Sequence, residues 1–237
     1  MASTRKQHGI KGCYFGGEWV DVEDLTSMLP TCKENNDGAS RSNEPMYDAS
    51  SGTYPRSKSN NCSMKTDGTY DIVIIGAGCI GGAIARELSK TQASVLVLEA
   101  ADDVSQGATK GNSGIVHAGY DDKPGSVRAK YCWPGNQMFP QLDRELHFGY
   151  QKNGSLVVAF NKEQVAELDN LVAKGHKNGV QNLRIIGKEE LHAMEPHLHK
   201  SAIAALHAPD AGNLIPYEYA IALMENAVAN GVECRLR

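Results

Sequence analysis

Three glycines stand where the backbone, rather than side chains, would bind a ligand. Gly76, Gly78 and Gly81 form the pattern G-x-G-x-x-G. The pattern alone is weak, because glycines are common in tight turns. Here it follows the apolar run 71–75, and Glu99 ends a second apolar run about 20 residues later. This context predicts a dinucleotide-binding unit, with an ordinary glycine turn between two strands as the alternative.

Each residue type in this unit has a physical role in the prediction. Gly76 permits the sharp turn off the first strand, Gly78 lets the backbone approach a pyrophosphate, and Gly81 lets the following helix pack closely. The start of that helix offers free N–H groups and a positive dipole end to phosphates. Glu99 is placed to accept hydrogen bonds from ribose hydroxyls. The predicted contacts of the adenine-dinucleotide half are Gly76, Ala77, Gly78, Cys79, Ile80, Gly81, Glu99 and Ala100.

Two apolar strands and one helix would position these residues. The β-branched run 71–75 is typical of a strand buried on both faces. Apolar residues at helical spacing follow it, and residues 94–98 predict a second strand. A helix between two strands of one sheet makes them parallel, which is the Rossmann-type βαβ arrangement of an α/β fold.

Further strands and helices are predicted downstream. Residues 150–160 predict a strand, or a hairpin turning at Asn153-Gly154. Asn161 is the expected cap of a helix that reaches about residue 176. The remaining predicted elements are a short helix over 187–194, a strand over 202–207, a helix from Pro216 to about residue 230, and a strand over 232–236.

The segment 105–120 bears on which dinucleotide would bind. It is a long ribbon of small and hydroxyl residues, whereas an NAD-type domain would normally continue into another helix and strand. Such a ribbon suits an elongated cofactor, to which it would offer backbone and hydroxyl hydrogen bonds. It therefore favours FAD over NAD, with a plain surface loop as the alternative.

Taken together, the βαβ unit over 70–99 and the ribbon over 107–120 resemble the FAD-binding start of the D-amino-acid-oxidase-like superfamily. The likeness is closest to FAD-dependent glycerol-3-phosphate dehydrogenases and L-2-hydroxyglutarate dehydrogenases. The segment 109–121 (TKGNSGIVHAGYD) resembles the family's stretch along the flavin, and 209–213 (PDAGN) resembles a landmark of its substrate domain. The resemblance covers about residues 70–236.

The resemblance implies further site residues and a reaction. Thr109, Asn112 and Ser113 would approach the pyrophosphate and ribityl chain, and residues from Gly114 through Ile115 to His117 would contact the isoalloxazine. Its implied fold is glutathione-reductase-like, with an FAD-binding domain over 69–150 and 215–237 and a mixed-sheet α+β substrate domain over 151–214. The implied activity is oxidation of a small hydroxy acid or phosphorylated polyol, glycerol 3-phosphate preferred, by hydride transfer to flavin N5. A flavoenzyme that oxidises L-2-hydroxyglutarate or an amino acid is the alternative. The substrate would be small and acidic, while the catalytic base and the electron acceptor stay unassigned.

Two features depart from the family pattern. Pro134 and Pro140 fall inside 125–146, a helix in relatives, and are expected to break or kink it because an interior proline costs about 3 kcal/mol. Family members also continue well beyond Arg237, so the chain is expected to be the N-terminal part of such an enzyme. A nicotinamide-dependent enzyme and a non-catalytic dinucleotide-binding fragment stay open as alternatives.

Composition excludes several other classes. A formal net charge of −4 argues against nucleic-acid binding, and no apolar run approaches the length of a membrane helix. The six cysteines are widely spaced and His192, His197 and His199 surround a proline, so no metal site is predicted. Free thiols indicate a reducing compartment, the cytoplasm, with the mitochondrion as the alternative for a chain that begins with basic residues.

The N-terminal residues differ in composition from the rest of the chain. Residues 31–68 are rich in Ser, Asn, Gly and Lys, which predicts a disordered N-terminal extension over 1–68. Within it, residues 13–29 carry several aromatic and apolar side chains. They are interpreted as a mobile tail, with a docking element as the alternative.

Overall fold

The computed structural model describes residues 68–237 in full and, before them, the backbone of two short strands. These strands, β1 (Gly12–Phe15) and β2 (Glu18–Asp21), pair antiparallel with Gly12 opposite Asp21. The remaining predictions for 1–67, including disorder and the docking element, lie outside the described residues. Among the described helices, none is both long and apolar enough to cross a membrane.

The described chain divides into two compact units, one comprising the described residues up to 112 together with 216–237 and the other residues 113–215. The first unit contains β3 (Ile72–Ile75), α1 (Cys79–Leu88) and β4 (Val95–Leu98). It also contains α5 (Pro216–Ala229) and β10 (Glu233–Arg235). The three strands form a parallel sheet in the order β10-β4-β3, which confirms the predicted parallel βαβ unit.

Both helices of the first unit pack together on one face of this sheet. Leu88 of α1, Val97 of β4 and Met224 of α5 are fully buried in the resulting core. On the opposite face, β3 is uncovered in the described residues: Val73 is 50% and Ile75 88% exposed, whereas Leu96 of the neighbouring β4 is 6% exposed. The prediction that the first strand is buried on both faces is therefore wrong. An apolar run alone does not reveal whether one or two layers will cover a strand.

The second unit is built on an antiparallel sheet in the order β6-β8-β7. Its elements are β5 (Ile115–Val116), α2 (Val127–Leu146), β6 (Ser155–Ala159), α3 (Lys162–Lys177), β7 (Arg184–Gly187), α4 (Lys188–Met194), β8 (Ala204–Ala208) and β9 (Gly212–Asn213). Helix α3 covers one face of the sheet through Leu168, and α4 covers the other face through Leu191.

Local sequence signals place several of these boundaries correctly. The side chain of Asn161 accepts a hydrogen bond from the N–H of Gln164 and caps α3 as predicted. The strand alternative for 150–160 is correct and the hairpin alternative is wrong. Gln151 forms a bridge with Asn213, whereas the following strand β6 pairs with β8.

Helix α2 runs unbroken from Val127 to Leu146 although Pro134 and Pro140 lie inside it. The expected break is therefore wrong, and the alternative of a kink stays a prediction. Between the two prolines, the side chain of Asn136 is 3% exposed and hydrogen bonds to two backbone carbonyls outside the helix. These tertiary hydrogen bonds and the burial of Ala129 help to offset the two backbone hydrogen bonds that the prolines cannot donate.

Candidate functional site

The glycine turn joins β3 to α1 with geometry that depends on glycine. Gly76 has φ +102°, a conformation that residues with a Cβ rarely adopt, and its N–H donates to the carbonyl of Leu98 at 2.7 Å. A Cβ on Gly81 would overlap the carbonyl oxygen of Gly76. The third glycine of the pattern therefore lets the first turn of α1 lie directly against the turn that precedes it.

The start of α1 presents N–H groups outward. The N–H of Cys79 donates to Oγ1 of Thr109 at 3.1 Å, and a Cβ on Gly78 would lie 3.0 Å from that same oxygen. Within the described part of the chain, the N–H groups of Ile80 and Gly81 carry no hydrogen bond. A helix start of this kind binds anions through its free N–H groups and its dipole.

Glu99 lies at the end of β4 and closes this turn from the side. Its carboxylate accepts hydrogen bonds from the N–H of Ala77 at 2.7 Å and of Ala101 at 3.0 Å. The bond from Ala77 is the main cause that lowers the pKa of Glu99, and partial burial opposes it. The side chain is therefore ionised at neutral pH, and a carboxylate with two bonds keeps lone pairs for ribose hydroxyls.

The segment 101–112 folds into successive turns beside the glycine turn. Ser105 has φ +62° and donates its N–H to the carbonyl of Ala77 at 3.0 Å. Its hydroxyl is buried without a hydrogen-bond partner among the described residues. Asn112 donates to the carbonyl of Thr109 at 2.7 Å. The contacts of Ser105 with Ala77 and of Thr109 with Cys79 escaped the sequence analysis, because they join residues about 30 apart without a local signal.

The predicted flavin ribbon of the second unit begins at Ser113, which is exposed, and Gly114, which is buried with φ +69°. Ile115 is 52% exposed, Val116 is buried, and His117 is exposed. Successive side chains of an extended strand point to opposite faces, so Ile115 and His117 share the open face. The strand β5 pairs with β9 through only two residue pairs, Ile115 with Asn213 and Val116 with Gly212.

Two asparagines hold the backbone that follows β5. Asn136 of α2 donates to the carbonyls of His117 at 3.2 Å and Asp210 at 2.8 Å. Asn178, the C-cap of α3, donates to the carbonyls of Gly119 at 2.9 Å and Asp122 at 2.8 Å. Neither asparagine belongs to a recognisable motif, which explains why the sequence analysis did not find them.

The buried carboxylate of Asp210 forms an ion pair next to this backbone with Lys152, whose side chain is half exposed. Asp210, 4% exposed, accepts from Lys152 at 2.6 Å and from Asn182 at 2.7 Å. Burial by itself would raise the pKa of Asp210, but the hydrogen bonds from Lys152 and Asn182 outweigh it and the pKa is lowered. Asp210 therefore acts as a charged anchor inside the second unit.

Two of the histidines around Pro196 make separate local contacts. His192 lies 3.3 Å from the carbonyl of Ala202, and His199 pairs with Ser201 at 2.7 Å. Within the residues that the structure describes, no group of three or more His, Cys, Asp or Glu side chains is arranged to hold a metal ion.

A family model described as "DAO: FAD dependent oxidoreductase" matches residues 71–237. A glycerol 3-phosphate dehydrogenase of Caloramator mitchellensis is 46% identical over 163 residues, which cover 69% of this chain and 34% of that protein. The mitochondrial L-2-hydroxyglutarate dehydrogenase of Dictyostelium discoideum is 35% identical over 152 residues, covering 63% of this chain and 34% of the relative.

Solved structures resemble the chain in the same region. The L-alpha-glycerophosphate oxidase of Mycoplasma pneumoniae with FAD bound aligns with a TM-score of 0.67 and 29% identity, over 70% of this chain and 44% of that one. The glycine oxidase of Geobacillus kaustophilus aligns with a TM-score of 0.63 and 25% identity, over 71% and 46%. The chain spans 34% of the length of each of the two curated relatives.

Proposed function

The chain belongs to the DAO family of FAD-dependent oxidoreductases, and on that basis we propose that it binds FAD and supplies the dinucleotide-binding part of a dehydrogenase. The observation that carries the proposal is the start of α1. The N–H groups of Ile80 and Gly81, which bind no other group among residues 68–237, lie there next to a glycine turn whose Ala77 N–H donates to the carboxylate of Glu99.

The first unit has hydrogen-bond donors and acceptors of the kind that the ADP half of FAD requires. The N–H groups of Ile80 and Gly81 would donate hydrogen bonds to pyrophosphate oxygens, because N–H groups in the first turn of a helix have no carbonyl acceptor within the helix. Thr109 accepts from Cys79, so its own hydroxyl hydrogen is free to donate to a phosphate. Glu99 would accept from ribose hydroxyls, with Ala100 beside it. Asn112 is proposed next to the same phosphates.

The ribbon of the second unit is the proposed contact of the flavin ring, through Ser113, Gly114, Ile115 and His117. Bound FAD supplies a two-electron acceptor, and the residues of the ribbon would orient it and exclude water. His117 would make a non-covalent polar contact through its exposed ring. No catalytic base is assigned among the described residues.

Glycerol 3-phosphate is the substrate that we propose for the whole protein. The relative named for that substrate is 46% identical to this chain, against 35% for the Dictyostelium relative named for L-2-hydroxyglutarate. Both names denote small acidic molecules with a hydroxyl group. L-2-hydroxyglutarate is therefore the second candidate, and the identity of the electron acceptor is left open.

A reducing compartment is proposed for the protein. Cys79, Cys132 and Cys234 are free thiols, and burial raises the pKa of Cys132 and Cys234 to about 12. The cytoplasm is the preferred compartment and the mitochondrion the alternative.

Titration of the 237-residue chain with FAD, FMN, ADP and NADH tests the proposal. Flavin and nicotinamide fluorescence would report the binding of FAD, FMN and NADH, and ADP would be tested as a competitor. We expect saturable FAD binding that ADP competes away, with much weaker binding of FMN, because FMN lacks the half that α1 would hold. Equal binding of FMN and FAD would refute the assigned site. Binding of neither flavin would favour the non-catalytic fragment, and preference for NADH would favour a nicotinamide-dependent enzyme.

A further inference from the structure

Asn136 is a buried amide in the middle of α2, with a side chain that reaches out of its own helix. The residue is 3% exposed, and its Nδ2 group donates to the carbonyls of His117 and Asp210. An amide nitrogen has two hydrogens, so both are in use. Its Oδ1 accepts from the side chain of Gln137 at 2.7 Å. Both the nitrogen and the oxygen of this amide therefore form hydrogen bonds within the second unit.

The two carbonyls that Asn136 binds lie at one end of the β5–β9 pair. His117 directly follows β5, and Asp210 precedes β9 by two residues. The pair has only two residue pairs of its own, and so short a ladder is not stable without support. At the opposite end, the N–H of Leu214 donates to the carbonyl of Gly114 at 3.0 Å. Asn136 therefore closes the end of the ladder that contains His117.

Holding the His117 carbonyl also determines where the ribbon's side chains point. Ile115 and His117 are exposed while Val116 and Ala118 are buried, and this alternation requires a fixed peptide orientation along 115–118. If the carbonyl of His117 rotated away from Asn136, the neighbouring side chains would turn with it. The orientation of His117 thus depends on a residue 19 positions away in the sequence.

We propose that Asn136 is a positioning residue, which acts through the backbone of His117 to hold Ile115 and His117 in the orientation that meets the flavin ring. The inference rests on the proposed function, because it concerns the ribbon that would contact FAD. Asn136 itself does not touch the cofactor in this proposal. Its loss would therefore change how the flavin ring is held, while the binding of the ADP half would not change.

Asn178 provides a matched control for this test. Its amide also donates to two backbone carbonyls, those of Gly119 and Asp122, in the same unit. Those carbonyls follow the proposed flavin contacts in the sequence. Replacing either asparagine by leucine, which has a similar shape, removes an amide donor from two carbonyls. In Asn136→Leu the carbonyl of His117 keeps a weaker contact, with the thiol of Cys132 at 3.7 Å. A purely structural role predicts that the two variants behave alike.

The experiment compares the full-length wild type with Asn136→Leu and Asn178→Leu by thermal unfolding, FAD and ADP titration, and the visible spectrum of bound flavin. We expect both variants to melt earlier, but only Asn136→Leu to weaken FAD binding, by about tenfold, and to shift the flavin bands. ADP affinity should be unchanged in both. If Asn136→Leu does not fold, Asn136→Ser and Asn178→Ser, each keeping one donor, replace the leucine variants.

The possible outcomes separate the two proposals. If the wild type does not bind FAD, the proposed function fails and this inference fails with it. If the wild type binds FAD and Asn136→Leu matches it in affinity and spectrum, only the inference is overturned. Equal spectral changes in the Asn136 and Asn178 variants would likewise overturn it, because they would reveal a general loss of structure.

Discussion

Gly81 offers the sharpest test of how the glycine turn works. A Cβ at this position would overlap the carbonyl oxygen of Gly76, so in Gly81→Ala the turn must move away from α1. Among the hydrogen bonds that hold the turn in place, the turn itself donates two, from Gly76 to the carbonyl of Leu98 and from Ala77 to the carboxylate of Glu99. The substitution therefore places both bonds at risk.

The expected size of the effect follows from these two bonds. A neutral hydrogen bond contributes about 1 kcal/mol and one to a charged group about 2 kcal/mol. Alanine at the third position of α1 raises the free energy of unfolding by about 1 kcal/mol, because it forms helix more readily than glycine. We therefore expect Gly81→Ala to lower the free energy of unfolding by about 2 kcal/mol. The same displacement should weaken FAD binding by about 30-fold, since 1.4 kcal/mol corresponds to a factor of ten.

The adjacent glycine is the control. A Cβ on Gly82 would lie 3.1 Å from Cβ of Leu223 on α5, a contact that requires only a small adjustment of the helix packing. Gly82→Ala should therefore change stability by less than about 1 kcal/mol and leave FAD affinity within a factor of about three. Thermal melts and FAD titration of both variants measure these effects. Wild-type affinity in Gly81→Ala, or equal loss of affinity in both variants, would refute the role assigned to the turn.

Two further predictions concern charged groups. The pKa of Glu99 is lowered in the folded state, so the carboxylate stabilises the fold above the pKa of the unfolded chain, about 4.3, and this stabilisation is lost as pH falls through the folded pKa. Melting temperatures should therefore fall further between about pH 6 and about pH 3 for the wild type than for Glu99→Gln. Parallel curves would contradict this account. Replacing Lys152 by Met leaves the buried carboxylate of Asp210 without its ion pair and should lower the free energy of unfolding, measured in urea at pH 7, by about 2 kcal/mol. Lys174→Met on α3 serves as the control. Equal effects of the two substitutions would contradict the prediction.

Local signals in the sequence were sufficient for the framework of the site. The β-branched run before Gly76, the helical spacing after Gly81 and the acid at position 99 together predicted the parallel βαβ unit that the structure contains. Asn161 likewise predicted the start of α3, because a cap needs only the three residues that follow it. Features of this kind are readable because cause and effect lie within one turn or one strand.

Other features depend on residues that are distant in the sequence, and these were missed or wrong. Helix α2 passes through Pro134 and Pro140 with the support of Asn136, whose carbonyl partners lie 19 and 74 residues away. The hydroxyl of Thr109 binds the N–H of Cys79, a contact that no local pattern encodes. Val73 and Ile75 are exposed because helices cover only one face of the sheet in the described residues.

The uncovered face of β3 also has a consequence for the behaviour of concentrated samples. Val73, Ile75 and Leu98 expose apolar surface there, and the outer edge of β3 has no strand partner within the described sheet. Such edges promote self-association. Because β3 leads directly into Gly76, oligomers formed through this edge would compete with the cofactor by mass action. Apparent FAD affinity should then fall as protein concentration rises, and a dilution series monitored by light scattering would separate the two equilibria.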